Sequence, residues 1–378
     1  MSNANTVELG EVCKVVMGQS PPSSSYNTAK NGLPFFQGKT DFGELYPTAR
    51  FYCNEPTRVA YGGDILISVR APVGPTNLAR EQCCIGRGLS ALQAHENLDP
   101  TYLLFFLRYF EPQLARLGKG STFEAVNRDD LETLRIPLPT ISEQKRIAGL
   151  LEQADRLRRT RRYALELSDT FLPAAFLELF GDPRQASDQW ELDEFANLGT
   201  LDRGRSRHRP RNAPHLYGGP YPFIQTGDVT NAKNYIQNHS QTYSEEGLKQ
   251  SKLWPTGTLC ITIAANIAET AILTYPACFP DSVVGFIPND RVKIEFVQFW
   301  LAFLQEILEK TAPESAQKNI NLEILRELRC PVPPLPLQEK FATLVARHER
   351  LRATQREALR QAEHLFQTLL HRAFSEDL

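Results

Sequence analysis

The chain has 378 residues, 42% hydrophobic and 23% charged, with a formal net charge of −2. That length holds two or three domains with real cores, and the balanced charge excludes a uniformly basic nucleic-acid coat while leaving room for a local basic face. Seven cysteines without a C-x-x-C pair argue against a disulfide framework or a cysteine zinc site. The N-terminus has no basic start followed by an apolar run, and the most apolar runs, Tyr102–Leu107 and Phe296–Leu304, are too short to span a bilayer. The expectation is a soluble, reduced, cytoplasmic protein with no membrane partner.

Taken in order, the chain reads as the same series twice. A short helix or strand over Val7–Val16 precedes a polar, turn-rich stretch, and the apolar run Ile65–Val69 reads as a strand. A compact helix over Thr101–Phe110, a loop over Leu117–Ala125 and a short helix around Leu131 follow, and the stiff exit Ile136-Pro137-Leu138-Pro139-Thr140 opens a long helix from Ile141 to Phe180. The second series runs through Trp190–Leu198, Leu259–Ile263, Glu295–Leu308, Thr311–Asn319 and Leu325 to a long helix from Leu335. From Gly63 to Glu178 an offset of 194 aligns the halves without a gap, carrying Asn127 to Asn321, Pro139 to Pro333 and Gln144 to Gln338. Such a repeat is the signature of a duplication.

In the first long helix Ile147, Leu150, Ala154, Leu157, Ala164 and Phe171 follow an alternating three-four spacing, with gaps at Arg161 and Ser168; Phe341, Leu344, His348, Leu351, Ala358 and Leu365 repeat the register. This spacing predicts an amphipathic seam covered by another helix, most simply the other copy, with each helix on the order of 55 Å long. Pro173 should kink or end the first helix; Gln367 stands there in the second. The boundaries expected are a globule over 1–140, a helix over 141–182, a globule over 183–334 and a helix over 335–378.

Enzyme signatures nearly form and then fail. Gly38-Lys39-Thr40 resembles the end of a P-loop, but Leu33 stands where its first glycine belongs. Gly86-Arg87-Gly88 is only G-x-G, and its repeat partner Pro280-Asp281-Ser282 lacks both glycines. Phe36-Gln37-Gly38 begins a methyl-donor loop that stops at Thr40, and Glu143-Gln144-Lys145 has no paired upstream acid and reads as polarity at a helix start. No catalytic or metal site assembles, so the chain reads as a binding protein and not an enzyme.

Candidate DNA-binding residues are better defined. Arg203, Arg205, Arg207, Arg209 and Arg211 alternate through a loop that glycine and proline keep out of a helix, a pattern suited to phosphates and guanine edges. Gln19 sits at the uncharged counterpart of this loop. Small polar loops carry Lys119, Ser121 and Thr122 in one half and Gln317, Lys318 and Asn319 in the other. Gln37, Lys39, Thr40 and Arg70, with Gln225, Thr226 and Asn266, complete the set. Arg156, Arg158, Arg159, Arg161 and Arg162 read as a solvated or partner-facing side of the long helix.

The segments PLPTISEQKRIAGLLEQAD, PVPPLPLQEKFATLV, GDILISVR and IGRGLSAL, in a duplicated chain, resemble the specificity subunit of a type I restriction–modification system. The resemblance covers essentially the whole chain; Pro280-Asp281-Ser282 and Leu337-Gln338 depart from its pattern. It implies an α+β fold, internally duplicated, in which two mixed α/β target recognition domains are joined by two long antiparallel helices acting as a coiled-coil spacer. It further implies a bipartite double-stranded DNA target, two methyltransferase subunits using S-adenosylmethionine, and restriction subunits using ATP and Mg, with no cofactor in this chain. Two other readings stay open: a self-sufficient nuclease or methyltransferase, and a scaffold that only bridges proteins.

Overall fold

The computed structural model describes residues 6–117, 125–185, 189–264, 267–311 and 320–375. The chain divides into two compact units, residues 1–163 with 356–378, and residues 164–355. The first opens with β1 (Thr6–Glu8), α1 (Leu9–Val12) and β2 (Cys13–Met17). Short strands follow: β3 (Tyr26–Asn27), β4 (Leu33–Phe36), β5 (Phe51–Cys53), β6 (Val59–Ala60), β7 (Ile65–Ser68), β8 (Thr76–Leu78), β9 (Cys83–Ile85) and β10 (Leu89–Ala94). Then α2 (Pro100–Leu117), α3 (Arg128–Glu132) and β11 (Arg135–Pro137) lead into α4 (Ile141–Ser168).

One antiparallel sheet has the order β2-β10-β7-β8, a second has the order β3-β5-β4-β9-β6, and β1 pairs with β11. The run Ile65–Ser68 is wholly buried, the pattern of a strand covered on both faces. Its core joins Leu9, Ile65, Ile67, Leu103, Phe105 and Leu107 from the globule to Ile147, Ala148, Leu151 and Ala154 of α4.

The second unit repeats this plan with α5 (Phe171–Phe180), β12 (Leu192–Glu194), β13 (Gly199–Arg203), β14 (Tyr217–Phe223), α6 (Thr226–Asn231), β15 (Tyr235–Ile236), β16 (Gln241–Tyr243) and α7 (Glu245–Lys249). It continues through β17 (Leu259–Thr262), β18 (Thr270–Leu273), β19 (Val283–Pro288), α8 (Ile294–Thr311), α9 (Leu322–Glu327), β20 (Arg329–Pro331) and α10 (Leu335–Phe374). The sheet order β13-β19-β17-β18-β15 reproduces the first sheet with one added strand. Even the caps repeat: Asn127 Oδ1 accepts from Asp130 N–H at the start of α3, and Asn321 Oδ1 from Ile324 N–H at the start of α9. The internally duplicated α+β class is therefore present.

A buried glutamine anchors each long helix. Gln144 Nε2 donates to Asn97 O (3.1 Å) and Pro139 O (2.9 Å), and its Oε1 accepts from Asp99 N–H (2.8 Å). Gln338 does the same with Arg291 O (3.1 Å), Pro333 O (2.7 Å) and Lys293 N–H (2.8 Å). Both residues are fully buried. Glu143-Gln144-Lys145 thus supplies more than helix-start polarity.

Pro173 acts as expected: α4 stops at Ser168, and α5 restarts at Phe171 with the proline in its first turn. With Gln367 in the equivalent place, α10 runs unbroken for 40 residues, about 60 Å. The end of α10 completes the core of the first unit. There Phe374 packs on Tyr102 and Phe106 (centroids 5.1 and 5.6 Å), and Phe366 lies under the Arg158 guanidinium at 4.1 Å. The contacts Arg158 with Phe366 and Arg162 with Glu363 (2.9 Å) run in opposite chain directions, so the two segments are antiparallel. In the second unit, Phe176 of α5 meets Phe296, Phe303 and Phe341 (5.6, 5.2 and 5.4 Å) at the start of α10.

The seam is rotated from the one expected. Ile147, Ala154, Phe341 and His348 are buried, but Leu150, Leu157, Phe171, Leu351 and Leu365 are exposed. Buried in their place are Gln144, Ala148, Leu151 and Asp155. Asp155 is tolerated inside because Arg158 (2.6 Å), Arg159 (2.9 Å) and Arg108 (3.5 Å) converge on it. Arg158 and Arg159 therefore turn toward Asp155, Arg158 and Arg162 also meet Phe366 and Glu363 of α10, and Arg156 and Arg161 are exposed. His348 brings Nε2 to 3.0 Å from Ser168 O and stacks on Phe171, while Arg352 and Lys233 pair with the Asp169 carboxylate at the α4–α5 break.

Candidate nucleic-acid interface

In the first unit, the ends of β2, β4 and β7 and the turn before β10 surround a cleft of about 330 Å³. Gln37 follows β4, and its N–H donates to Asp41 Oδ2 at 2.7 Å, which fixes the turn Lys39–Asp41. Arg50 holds the other Asp41 oxygen (2.6 Å) and the Thr40 hydroxyl (3.2 Å), so this acid is neutralised beneath the turn. Gln37, Lys39 and Thr40 are left exposed above it. Arg70 stands at the end of β7, its carbonyl bonded by Ser68 Oγ at 3.0 Å. Arg87 tips the turn Gly86–Leu89, beside Ser20. Gly88 is required there, since a Cβ would fall 2.3 Å from Gln37 O.

The charged groups lining this cleft are Lys39, Arg70 and Arg87, with no carboxylate among the lining residues. Among the described residues no ion pair engages Arg70 or Arg87. The cleft offers donors and positive charge, which suits an anion or the acceptor edge of a base.

In the second unit the arginine-rich loop is internally braced. Arg205 stands 3.8 Å from Asp202, which Lys252 also approaches (3.2 Å). Arg209 Nη1 folds back onto Ser206 O (2.7 Å) and His208 O (2.8 Å), and Arg211 Nη2 donates to Asp281 Oδ2 (2.8 Å). The loop therefore does not present five free guanidinium groups. Arg203, at the end of β13, and Arg207 are exposed, and no hydrogen bond or ion pair engages either guanidinium among the described residues. Gln225 N–H donates to Asp228 Oδ2 (2.8 Å), as Gln37 does to Asp41, and its Nε2 donates to Gln241 (2.7 Å); Thr226 begins α6 half-buried.

The profile of the type I restriction modification DNA specificity domain matches residues 1–167 and again residues 188–363. The chain belongs to that family. A putative type I restriction enzyme MjaX specificity subunit of Methanocaldococcus jannaschii is 48% identical over 40% of this chain, a match spanning 36% of that protein. The EcoDI specificity subunit of Escherichia coli is 21% identical over 99% of this chain and 88% of its own length. The solved S subunit of a type I system from M. genitalium superposes with a TM-score of 0.65 at 15% identity, covering 98% of this chain and 96% of that one. A structure from work on complex assembly and conformational transition of the type I R-M system gives 0.62 at 20% identity, over 99% and 98%. These two show the same fold.

In the first unit the structure brings Gln37, Lys39, Thr40 and Arg70 into one cleft, with Gln19 exposed at its border. Lys119, Ser121, Thr122, Asn266, Gln317, Lys318 and Asn319 lie outside the described residues. Sequence reasoning passed over Ser20 and Arg87; the signal for Arg87 was an arginine held between two glycines just before a strand. All seven cysteines are buried free thiols, and burial pushes Cys13 and Cys83 up to about 12, which leaves them un-ionised at neutral pH. Among the described residues no cluster of three potential metal ligands occurs, and no helix is long and apolar enough to cross a membrane.

Proposed function

We propose that this chain is the DNA-reading subunit of a type I restriction–modification complex, each unit reading one half of a bipartite duplex target. The observation that carries this reading is the acid-free cleft of the first unit, where Lys39, Arg70 and Arg87 converge with polar Gln37 and Ser20. The twofold match to the specificity-domain profile supports two readers in one chain. Methyl transfer from S-adenosylmethionine to adenine, and ATP- and Mg-dependent restriction, belong to partner subunits in this reading. Each long helix carries an exposed leucine at the same repeat position, Leu157 and Leu351, with Leu150, Tyr163 and Leu167 nearby on the first. An exposed leucine at the same repeat position of each helix suits two copies of one methyltransferase subunit.

The helices set the gap between half-sites. Removing two turns, roughly seven residues, from the middle of both should shorten the gap by about three base pairs and leave both half-sites intact. N6-methyladenine mapping in cells expressing the complex reads this directly, and a changed half-site sequence would argue against a ruler. Phosphate binding has its own signature. Lys39→Ala with Arg70→Ala should weaken DNA binding by the complex across all sequences and reduce the salt slope, d log K/d log[salt], by about 2 in magnitude. An unchanged slope would remove these two side chains from the interface.

A further inference from the structure

The two units share one backbone turn, which in the first borders the cleft of Lys39 and Arg70, and arm it with opposite charge. Gly86-Arg87-Gly88-Leu89 closes with Leu89 N–H on Gly86 O at 3.0 Å; Pro280-Asp281-Ser282-Val283 closes with Val283 N–H on Pro280 O at 3.0 Å. The surroundings match bond for bond. Gly18 N–H donates to Leu89 O (2.9 Å) as Gly204 does to Val283 O (2.9 Å), and Gln19 to Ile85 O (3.0 Å) as Arg205 to Phe279 O (3.0 Å). Val69 N–H donates to Gly88 O (3.0 Å) as Ile263 does to Ser282 O (3.0 Å). Arg87 and Asp281 therefore occupy the same point of the fold, although Gly-Arg-Gly and Pro-Asp-Ser share no residue.

Their hydrogen-bonding chemistry is complementary. Arg87 is exposed, its guanidinium has no ion pair among the described residues, and it can only donate. Asp281 can only accept when ionised; Arg211 Nη2 holds Oδ2 at 2.8 Å, which orients the carboxylate and leaves Oδ1 for another donor. In the major groove guanine presents two acceptors, O6 and N7, to which an arginine bonds in parallel. Cytosine N4 and adenine N6 present donors, and a carboxylate takes the cytosine amino group.

We infer that Arg87 and Asp281 are corresponding specificity residues of the two half-sites, Arg87 selecting a guanine and Asp281, positioned by Arg211, selecting a base with an exocyclic amino group, cytosine before adenine. This rests on the DNA-reading function proposed above. It makes the target asymmetric at this position, because one turn serves both half-sites with inverted polarity. A turn that touched only phosphate would have no use for a carboxylate in the second unit.

The test is genome-wide mapping of N6-methyladenine by the full chain in complex with its methyltransferase subunit, comparing wild type with Arg87→Ala, Asp281→Ala and Asp281→Asn. Arg87→Ala is expected to make one guanine of one half-site degenerate, with discrimination falling on the order of 10- to 100-fold. Asp281→Ala should relax one cytosine or adenine in the other half-site. Asp281→Asn, which keeps the bond from Arg211 and adds a donor, should move that position toward adenine. The inference is overturned if Arg87→Ala lowers methylation evenly with the motif intact, if the relaxed position is not guanine, or if both alanine variants relax the same half-site. A wild-type complex that yields no split motif overturns the DNA-reading proposal itself, and this inference with it.

Discussion

Ending the chain at Gln361 is expected to unfold the N-terminal unit while the second unit stays folded. The removed segment contains Phe366, Leu370 and Phe374, all buried in the core that also holds Leu103, Phe105 and Ile147. Phe374 alone touches Tyr102, Phe106 and Tyr109. Losing one buried Leu or Phe side chain costs about 2–5 kcal/mol, so losing three is comparable to the whole stability of a domain, about 5–15 kcal/mol. Thermal melting followed by limited proteolysis separates the outcomes. A truncated chain that keeps two cooperative transitions, with residues 6–163 resistant to protease, would mean that the segment is an accessory. The milder Leu370→Ala should lower only the stability of the first unit, by about 3 kcal/mol.

Gln144→Ala should destabilise the first unit, and Gln338→Ala the second, by about 3 kcal/mol each. Each substitution removes a fully buried side chain together with its bonds to two carbonyls and one N–H. Denaturant titration of the two single variants measures the loss, and equal loss from both units in either variant would contradict the local clamp. Gln144→Glu adds a sign. A carboxylate there would face two carbonyl oxygens, so its ionised form is disfavoured and its pKa raised in the folded state. Stability of that variant should be fullest in acid, where the group is protonated in both states, and fall as pH rises beyond the ordinary glutamate range. The wild-type glutamine should show no such slope from this site.

The duplication was plain in the sequence because side chains that define a fold repeat with it: the asparagine caps at Asn127 and Asn321, the proline exits, and the pair Gln144 and Gln338. The role of the glutamines was not, since a clamp exists only once the loop at Asn97–Asp99 arrives beside the helix. The helix seam misled for a related reason. Apolar spacing marks a face, but it counts Leu150 and Leu157 as interior and rejects Asp155. Three arginines make Asp155 acceptable inside, and no spacing rule sees that. The arginine loop likewise looked like five free cations until Asp202, Asp281 and nearby carbonyls were brought to it by the fold.

That the last turns of α10 complete the first unit also bears on synthesis. Within residues 6–163, Tyr102, Phe105 and Phe106 lack the rings of Phe366 and Phe374 that pack on them until those residues leave the ribosome. At about 5–20 residues per second, that interval is on the order of 10–40 s. Throughout it the earlier-made unit leaves uncovered the aromatic surface that Phe366 and Phe374 later cover. The later-made unit has its whole chain by residue 355 and the earlier-made unit only with the end of α10, so a nascent-chain chaperone is expected to act on the half that emerges first.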